Sequence, residues 1–136
     1  MKADFSAEKQ LVRDFYARLD KACETDIPEL LEAFTSPEYL WRGFHPFNEI
    51  TSAQEVGESF WQPLRGALTS LQRRLDVFMA GQNSIAEQGG VWVVSMGHLM
   101  GLFDQPWLGI PPTGKIAMQR YCEFNQIGRA SCRERV

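Results

Sequence analysis

The sequence lacks any apolar run of the roughly 20 residues that a membrane-spanning helix needs. Its first residues, Met1 to Phe5, also lack the apolar stretch of a signal peptide, so we expect a cytoplasmic protein without a membrane partner. Basic residues are few, with 14 Lys and Arg against 17 Asp and Glu and a formal net charge of −3. No basic stripe with interleaved aromatic residues is present, and nucleic acid is therefore not an expected partner.

Metal-ligating residues are equally scarce, because the chain has three cysteines and two histidines. Cys23, Cys122 and Cys132 lack metal-ligand spacing, and an odd number without a secretory signal predicts free thiols in a reducing compartment. His45 and His98 alone make a poor metal set. No P-loop, dinucleotide fingerprint, nucleophile elbow or HExxH motif occurs. We therefore expect neither a metal nor another cofactor.

The final ten residues, 127–136, lack the apolar alternation that precedes them and carry three arginines. Their sequence resembles the conceptual translation of a common sequencing adapter at every codon. We interpret 1–126 as one incomplete domain and 127–136 as a non-native tail; the alternative is a disordered basic terminus. We therefore expect residues 128–136 to be irregular or poorly ordered.

The composition that remains is that of an ordinary globular domain. Hydrophobic residues make up 44% of the 136 residues and charged residues 23%, so a single core is expected. Apolar residues at helical spacing predict a first helix over 6–23. Capping pairs begin a second helix over 27–35 and a third, with a kink at Pro63, from Ser52 to about residue 71.

The later part of the chain has the pattern of strands. Aromatic residues favour a short first strand over 39–44, and extended patterns predict strands over 74–80, 90–103 and 115–125. Helices come first and most strands last, which indicates an α+β fold with a mostly antiparallel sheet packed against three helices.

The central strand carries the first candidate for chemistry. Trp92, Met96 and His98 share one face by the period of two. Because both faces are largely apolar, we expect this strand to be buried on both sides. His98 is then either a hydrogen-bonded core imidazole or a group that projects into a cavity and transfers protons.

The strand over 115–125 has one polar face, which includes Gln119, Tyr121 and Glu123. This face is either exposed to solvent or lines the concave side of a curved sheet. In the second case Glu123 and Tyr121 are acid/base candidates, and Gln119 is an orienting donor. Arg120 lies on the opposite face.

The segment 41–49 concentrates aromatic and charged residues, as the wall of a site for a planar ligand does. Trp41, Arg42 and His45 are its candidate substrate-binding residues, although Arg42 and His45 could instead be surface groups beside a buried Trp41. Asp104 follows the central strand, where an aspartate is more often a turn former than a catalyst.

One stretch resembles a known family. His98 on a central strand, then Gly101-Leu102-Phe103, then residues 109–115 (Gly-Ile-Pro-Pro-Thr-Gly-Lys) entering a strand, is similar to the SnoaL-like polyketide cyclases and predicted ester cyclases of the nuclear transport factor 2-like (NTF2-like) superfamily. The resemblance covers most of residues 8–125. It implies a cone-shaped curved sheet around an internal cavity, here without its final strand, and usually a homodimer.

The resemblance also implies a reaction. Polyketide cyclases of this family close a ring by an intramolecular aldol reaction without a cofactor, using a carboxylate on the strand after the PPTG loop; His98 matches their cavity histidine. Here Ile116-Ala117-Met118 follows the loop instead of an aspartate, so Glu123 or Asp104 has to substitute. We expect a cyclase acting on a small polyketide-like or aromatic substrate, with His98 and Glu123 handling protons and Arg42, His45 and Arg120 orienting oxygens. A non-catalytic binder of the same fold and a related hydrolase or dehydratase are the alternatives.

Overall fold

The helices lie at the start of the chain, as predicted. The computed structural model describes residues 4–37, 39–84, 90–127 and 132–134. Helix α1 spans Ser6–Lys21 and helix α2 spans Ile27–Phe34. Both are close to their predicted bounds because each has an apolar face at helical spacing that is buried in the core.

The third helical segment is interrupted and shorter than predicted. It consists of α3 (Ala53–Val56), a π-helical turn (Gly57–Trp61) and α4 (Gln62–Ala67). The predicted cap is confirmed, since the Ser52 hydroxyl accepts a hydrogen bond from the Glu55 backbone N–H at 3.3 Å. The helix ends at Ala67 and not near residue 71, because the next leucines already belong to a strand. An apolar repeat alone cannot distinguish the last turn of a helix from the start of a half-buried strand.

A four-stranded antiparallel sheet forms the second layer, in the order β3-β4-β5-β6. Its long strands are β3 (Leu68–Gln82), β4 (Val91–Phe103) and β5 (Ile116–Ile127), so the three predicted strands are confirmed and β3 is longer than expected. The first predicted strand, over 39–44, is reduced to β1 (Trp41–Arg42), which pairs with β2 (Glu49–Ile50).

Part of the tail is regular, contrary to the prediction. Strand β6 (Cys132–Glu134) pairs antiparallel with the end of β5, opposite residues 125–127. An edge strand offers free backbone N–H and C=O groups, and pairing with them requires no apolar side chains. The expectation of irregular structure is therefore wrong for 132–134, while residues 128–131 and 135–136 lie outside the described residues.

The helices cover only one face of the sheet. On this inner face Val93, Ser95 and Leu99 of β4 are almost fully buried, whereas Val94, Met96 and His98 on the outer face are half-buried. The expectation that β4 is buried on both sides is therefore wrong for the single protomer. Two register shifts in β3 bend the sheet around the helices.

The core lies between the inner face and the helices. Each large apolar side chain buried there contributes about 1.5–3 kcal/mol relative to exposure. No helix among the described residues is long and apolar enough to span a bilayer. The most deeply buried apolar residues are Val12, Leu19, Ile27, Leu31, Val56, Leu64 and Val93.

Candidate functional site

A partly enclosed cavity of about 130 Å³ lies on the inner face of the sheet, between β5 and the helical segment before β3. Its wall is mostly aromatic, and Glu123 contributes a carboxylate. Wider depressions, such as one of about 380 Å³ beside Glu32 and Tyr39, lie on the surface. The aromatic residues that line the enclosed cavity are Trp41, Phe44, Phe60, Trp61 and Tyr121.

The π-helical turn and β1 build the aromatic wall together. Consecutive residues of the turn, Phe60 and Trp61, both border the cavity, with their ring centroids 5.0 Å apart. The Trp41 ring packs 5.1 Å from Phe60. Gly43 makes room for it, because a Cβ at this position would lie 2.1 Å from the Trp41 ring. Such a wall excludes water from part of the carboxylate's surroundings.

Glu123 is held by a short chain of buried polar groups. Its side chain accepts a hydrogen bond from the Tyr16 hydroxyl of α1, and the Asn125 amide donates to the same hydroxyl oxygen at 3.4 Å. Glu123 is 8% exposed. The two strand residues are two positions apart and therefore share the inner face, which brings both within reach of α1.

Tyr16 remains a hydrogen-bond donor over the whole physiological range. Burial raises the pKa of its hydroxyl far above the ordinary value, and the negative charge of Glu123 raises it further. The neutral O–H is therefore a fixed donor for the Glu123 carboxylate.

Arg73 of β3 supplies the positive charge of the site. Its Nε donates to an Asp20 oxygen at 3.2 Å, and its guanidinium carbon lies 4.0 Å from the centroid of the Tyr16 ring. Burial alone would lower the pKa of Arg73, but attraction to Glu123 and Asp20 outweighs it and the pKa lies above the ordinary value. Among the described residues, Nη1 and Nη2 find no hydrogen-bond partner; stacking on aromatic rings takes its place.

We predict that Tyr16→Phe destabilises the protein at pH 7 by about 1–3 kcal/mol, because Glu123 loses a buried donor. Above pH 10, unfolded Tyr16 ionises while folded Tyr16 keeps its proton, so the wild type loses stability as the pH rises, by up to about 1.4 kcal/mol per pH unit. The variant lacks this loss. Urea unfolding between pH 7 and 11.5 should therefore show the two stabilities converging above pH 10, and a gap that stays constant would contradict the assignment.

Several of the residues predicted from the sequence lie together at this cavity. Trp41, Tyr121 and Glu123 all border it, and Gln119, the suggested orienting donor, borders it as well. The polar face of β5 is thus the concave one. The Tyr121 hydroxyl lies 3.1 Å from the Ser95 hydroxyl of β4, within the same inner layer.

His98, Trp92 and Met96 do not lie at the cavity. They share the outer face of β4, where the His98 Nδ1 lies 3.1 Å from an Asp76 oxygen. Because inner and outer residues alternate along β4, His98 and Trp41 lie on opposite sides of the sheet, and His98 does not project into the cavity that Trp41 borders. Arg120, the register partner of His98, borders the cavity wall but is itself exposed.

The remaining candidates are surface or turn residues. Arg42 is exposed and pairs with Glu49 at 3.1 Å, and His45 is exposed in the loop that follows. Asp104 accepts a hydrogen bond from the Thr69 hydroxyl at 2.7 Å and holds the end of β4 against the start of β3. None of the three lines the cavity. Arg42 and His45 are therefore surface groups and Asp104 is a structural residue at a strand end, which were the alternatives to a functional role.

Sequence reasoning missed Tyr16, Arg73 and Ser95. Tyr16 belongs to the apolar face of α1, and Arg73 falls between the predicted end of the third helix and the predicted start of a strand. Their partners are far along the chain, so no local pattern indicates them. No group of three metal-ligating side chains occurs in the part of the chain that the structure describes.

Helices followed by a curved antiparallel sheet, with the cavity between them, define the NTF2-like fold. The chain is similar to a protein from Jannaschia sp. CCS1 whose assignment as a SnoaL-like polyketide cyclase is itself provisional (TM-score 0.69, 16% identity, 98% of this chain and 89% of that chain). It is also similar to an NTF2-like protein from Burkholderia thailandensis E264 (TM-score 0.63, 20% identity, 92% and 84%).

A third similar structure carries a different assignment. AclR from Streptomyces galilaeus, provisionally a hydroxylase, has a TM-score of 0.68 and 18% identity over 93% of this chain and 74% of that chain. No family model and no curated protein matches the sequence. The resemblance to SnoaL-like proteins is confirmed for the fold, and at these identities the reaction has to be argued from the site.

Proposed function

We propose that the protein is a cofactor-independent acid/base enzyme of the cyclase type, with Glu123 as the general base. The observation that carries this proposal is that Glu123 is the carboxylate bordering a partly enclosed aromatic cavity, fixed there by the Tyr16 hydroxyl. A buried carboxylate with one oriented donor and an apolar approach on its other side is suited to remove a proton from carbon.

The reaction begins at the α-carbon of a carbonyl substrate. The Glu123 carboxylate takes the α-proton, the C–H electron pair becomes the C=C bond of an enolate, and the carbonyl π pair moves to oxygen. The enolate carbon then attacks a second carbonyl carbon of the same molecule. The resulting alkoxide takes the proton back from Glu123, so the net change is an intramolecular aldol ring closure.

Polar groups of the inner layer are available for the developing oxyanion. Gln119 borders the cavity, and the Tyr121 hydroxyl can donate to a substrate oxygen while Ser95 donates to Tyr121. Donors that are already in position stabilise charge without reorganising in the transition state. Tyr16, by contrast, is fully engaged with Glu123 and Asn125 and acts by orienting the base.

The cavity volume limits the substrate. A dry protein cavity of about 150 Å³ can hold a single benzene ring, so the enclosed space of about 130 Å³ suits one ring. Phe44, at 49% exposed, lies in the wall, and larger polyketide-like molecules would have to extend past it towards solvent.

The direct test is exchange of α-hydrogen for deuterium in D₂O, followed by NMR on small cyclic ketones such as cyclopentanone and cyclohexanone. We expect exchange above the buffer rate. Binding of these ketones without exchange would favour the non-catalytic alternative.

We also propose that the protein acts as a homodimer through the outer face of the sheet. Apolar side chains are exposed there, including Met118 at 59% and Phe124 at 48%, and a second copy would cover them. The same face carries both signs of charge, Arg120 and Asp76, and a twofold axis allows each to meet the opposite charge of the partner.

Sedimentation at micromolar concentration tests this interface. We expect a dimer for the wild type and a monomer for the Met118→Glu/Phe124→Glu variant, since buried like charges oppose association. Ala17→Glu, on the exposed side of α1, is the control and should leave the dimer intact. A monomeric wild type, or a dimeric double variant, would rule out this face.

A further inference from the structure

The charges behind the cavity indicate what kind of ligand it admits, an inference that rests on the proposed function and deepens it. Two carboxylates and one guanidinium lie near one another here: Arg73 on β3 pairs with Asp20 on α1 at 3.2 Å and attracts Glu123 on β5. The Arg73 side chain is 5% exposed and that of Asp20 is 33% exposed. Solvent therefore screens Asp20, while Arg73 and Glu123 interact in the protein interior.

The Arg73 guanidinium already makes cation–π contacts with two aromatic rings that a cationic ligand would need. Its guanidinium carbon lies 5.0 Å from the centroid of Tyr121 and 5.8 Å from that of Trp61. Both rings also border the cavity. A ligand cation stacked on them from the cavity would sit close to the fixed positive charge of Arg73, which also attracts Glu123.

An anionic ligand is disfavoured for the opposite reason. Two charged side chains border the cavity, the buried Glu123 carboxylate and the exposed Arg120. Arg73 cannot reach an anion, because its Nη1 and Nη2 atoms have no accessible surface. A carboxylate or phosphate placed here would meet the like charge of Glu123, and the neutral donors Gln119 and Tyr121 would not offset that repulsion.

We propose that the cavity selects an uncharged carbonyl compound no larger than about one ring and excludes both carboxylates and ammonium compounds of the same size. Before the substrate binds, the charge of Arg73 is shared between Glu123 and the partly exposed Asp20. When the proton moves from the substrate to Glu123, the negative charge passes to the substrate oxygen, so the total charge beside Arg73 is unchanged during the reaction.

Three matched probes test the selection: cyclohexanone, cyclohexanecarboxylate and cyclohexylammonium. Their dissociation constants can be measured by quenching of Trp41 and Trp61 fluorescence and by saturation-transfer NMR. We expect cyclohexanone to bind at least about tenfold more tightly than either ion, which corresponds to about 1.4 kcal/mol.

Charge variants should change the preference in opposite directions. Glu123→Gln removes the negative charge that borders the cavity and leaves Arg73 with the partly exposed Asp20 as its partner; it is expected to improve cyclohexanecarboxylate binding relative to the ketone by about tenfold. Arg73→Met leaves Glu123 uncompensated and is expected to improve cyclohexylammonium binding by a similar factor. If Arg73→Met fails to fold, Asp20→Asn/Arg73→Met also removes the unpaired Asp20 charge and serves in its place.

The outcomes separate this inference from the proposed function. Tighter binding of either ion by the wild type, no binding of cyclohexanone, or unchanged preferences in the charge variants would overturn the selection. Ketone binding with the expected preferences but without hydrogen exchange supports the selection and contradicts the proposed reaction. Hydrogen exchange together with tighter binding of an ion contradicts the selection but leaves the proposed reaction supported.

Discussion

Glu123→Gln is expected to reduce α-hydrogen exchange by about 10³-fold, within the range typical of a general base. The amide has nearly the same shape as the carboxylate, and its oxygen can still accept the hydrogen bond from Tyr16. It has no basic oxygen that could take a proton from carbon. The rate should be followed by NMR at saturating ketone, with thermal unfolding to show that the variant is folded.

Two variants are matched controls for this loss. Glu49→Gln removes an exposed carboxylate that pairs with Arg42, and exposed pairs of this kind contribute about 0–1 kcal/mol. His98→Gln removes the histidine on the outer face. Both should retain exchange within about twofold. A full loss in His98→Gln would indicate chemistry on the outer face of β4, and a retained rate in Glu123→Gln would rule out Glu123 as the base.

Gly97→Ala is expected to destabilise the protein by about 3 kcal/mol, at the upper end for an overpacked interior. A Cβ on Gly97 would lie 1.9 Å from the carbonyl oxygen of Arg74 and 3.1 Å from the Tyr121 ring. The first contact is with backbone, so β3 and β4 would have to separate beside the bulge of β3. Calorimetry should show a melting temperature lower by about 10 °C.

Gly81→Ala is the matched control for this substitution. Gly81 also lies in the β3–β4 pair, but a Cβ there has nothing within 4 Å. Its stability should change by less than about 1 kcal/mol, with a slight gain because alanine is better tolerated in a strand interior. Equal effects at the two positions would mean that strand propensity, and not the close approach at Gly97, determines the loss.

The layers of the fold could be predicted because each depends on a local pattern. The apolar face of α1 and the alternation along β4 are visible within single segments. The end of the third helix could not be predicted, since Leu68 and Leu71 continue its apolar repeat although they belong to β3. Which face of β4 the helices cover is a tertiary property, because both faces of that strand are apolar.

The candidate site could be predicted only in part, for the same reason. Glu123 was found because it lies on a polar strand face with Tyr121, a pattern of period two. Arg73 and Tyr16 lie on different elements and acquire a role only when α1 and β3 pack against β5. His98 was misplaced because a histidine among apolar residues has the same local pattern on either face of a sheet.

The π-helical turn at Gly57–Trp61 makes one wall of the cavity depend on the number of residues in a helix. Such turns contain one residue more than a regular α-helix does. Loss of one exposed residue, such as Glu58, would allow α3 and α4 to join as one regular helix and would rotate one half by about 100° relative to the other. Phe60 and Trp61 could then no longer both border the ligand. A relative with one residue fewer in this turn would therefore hold a cavity of different shape, even with every side chain of β5 unchanged.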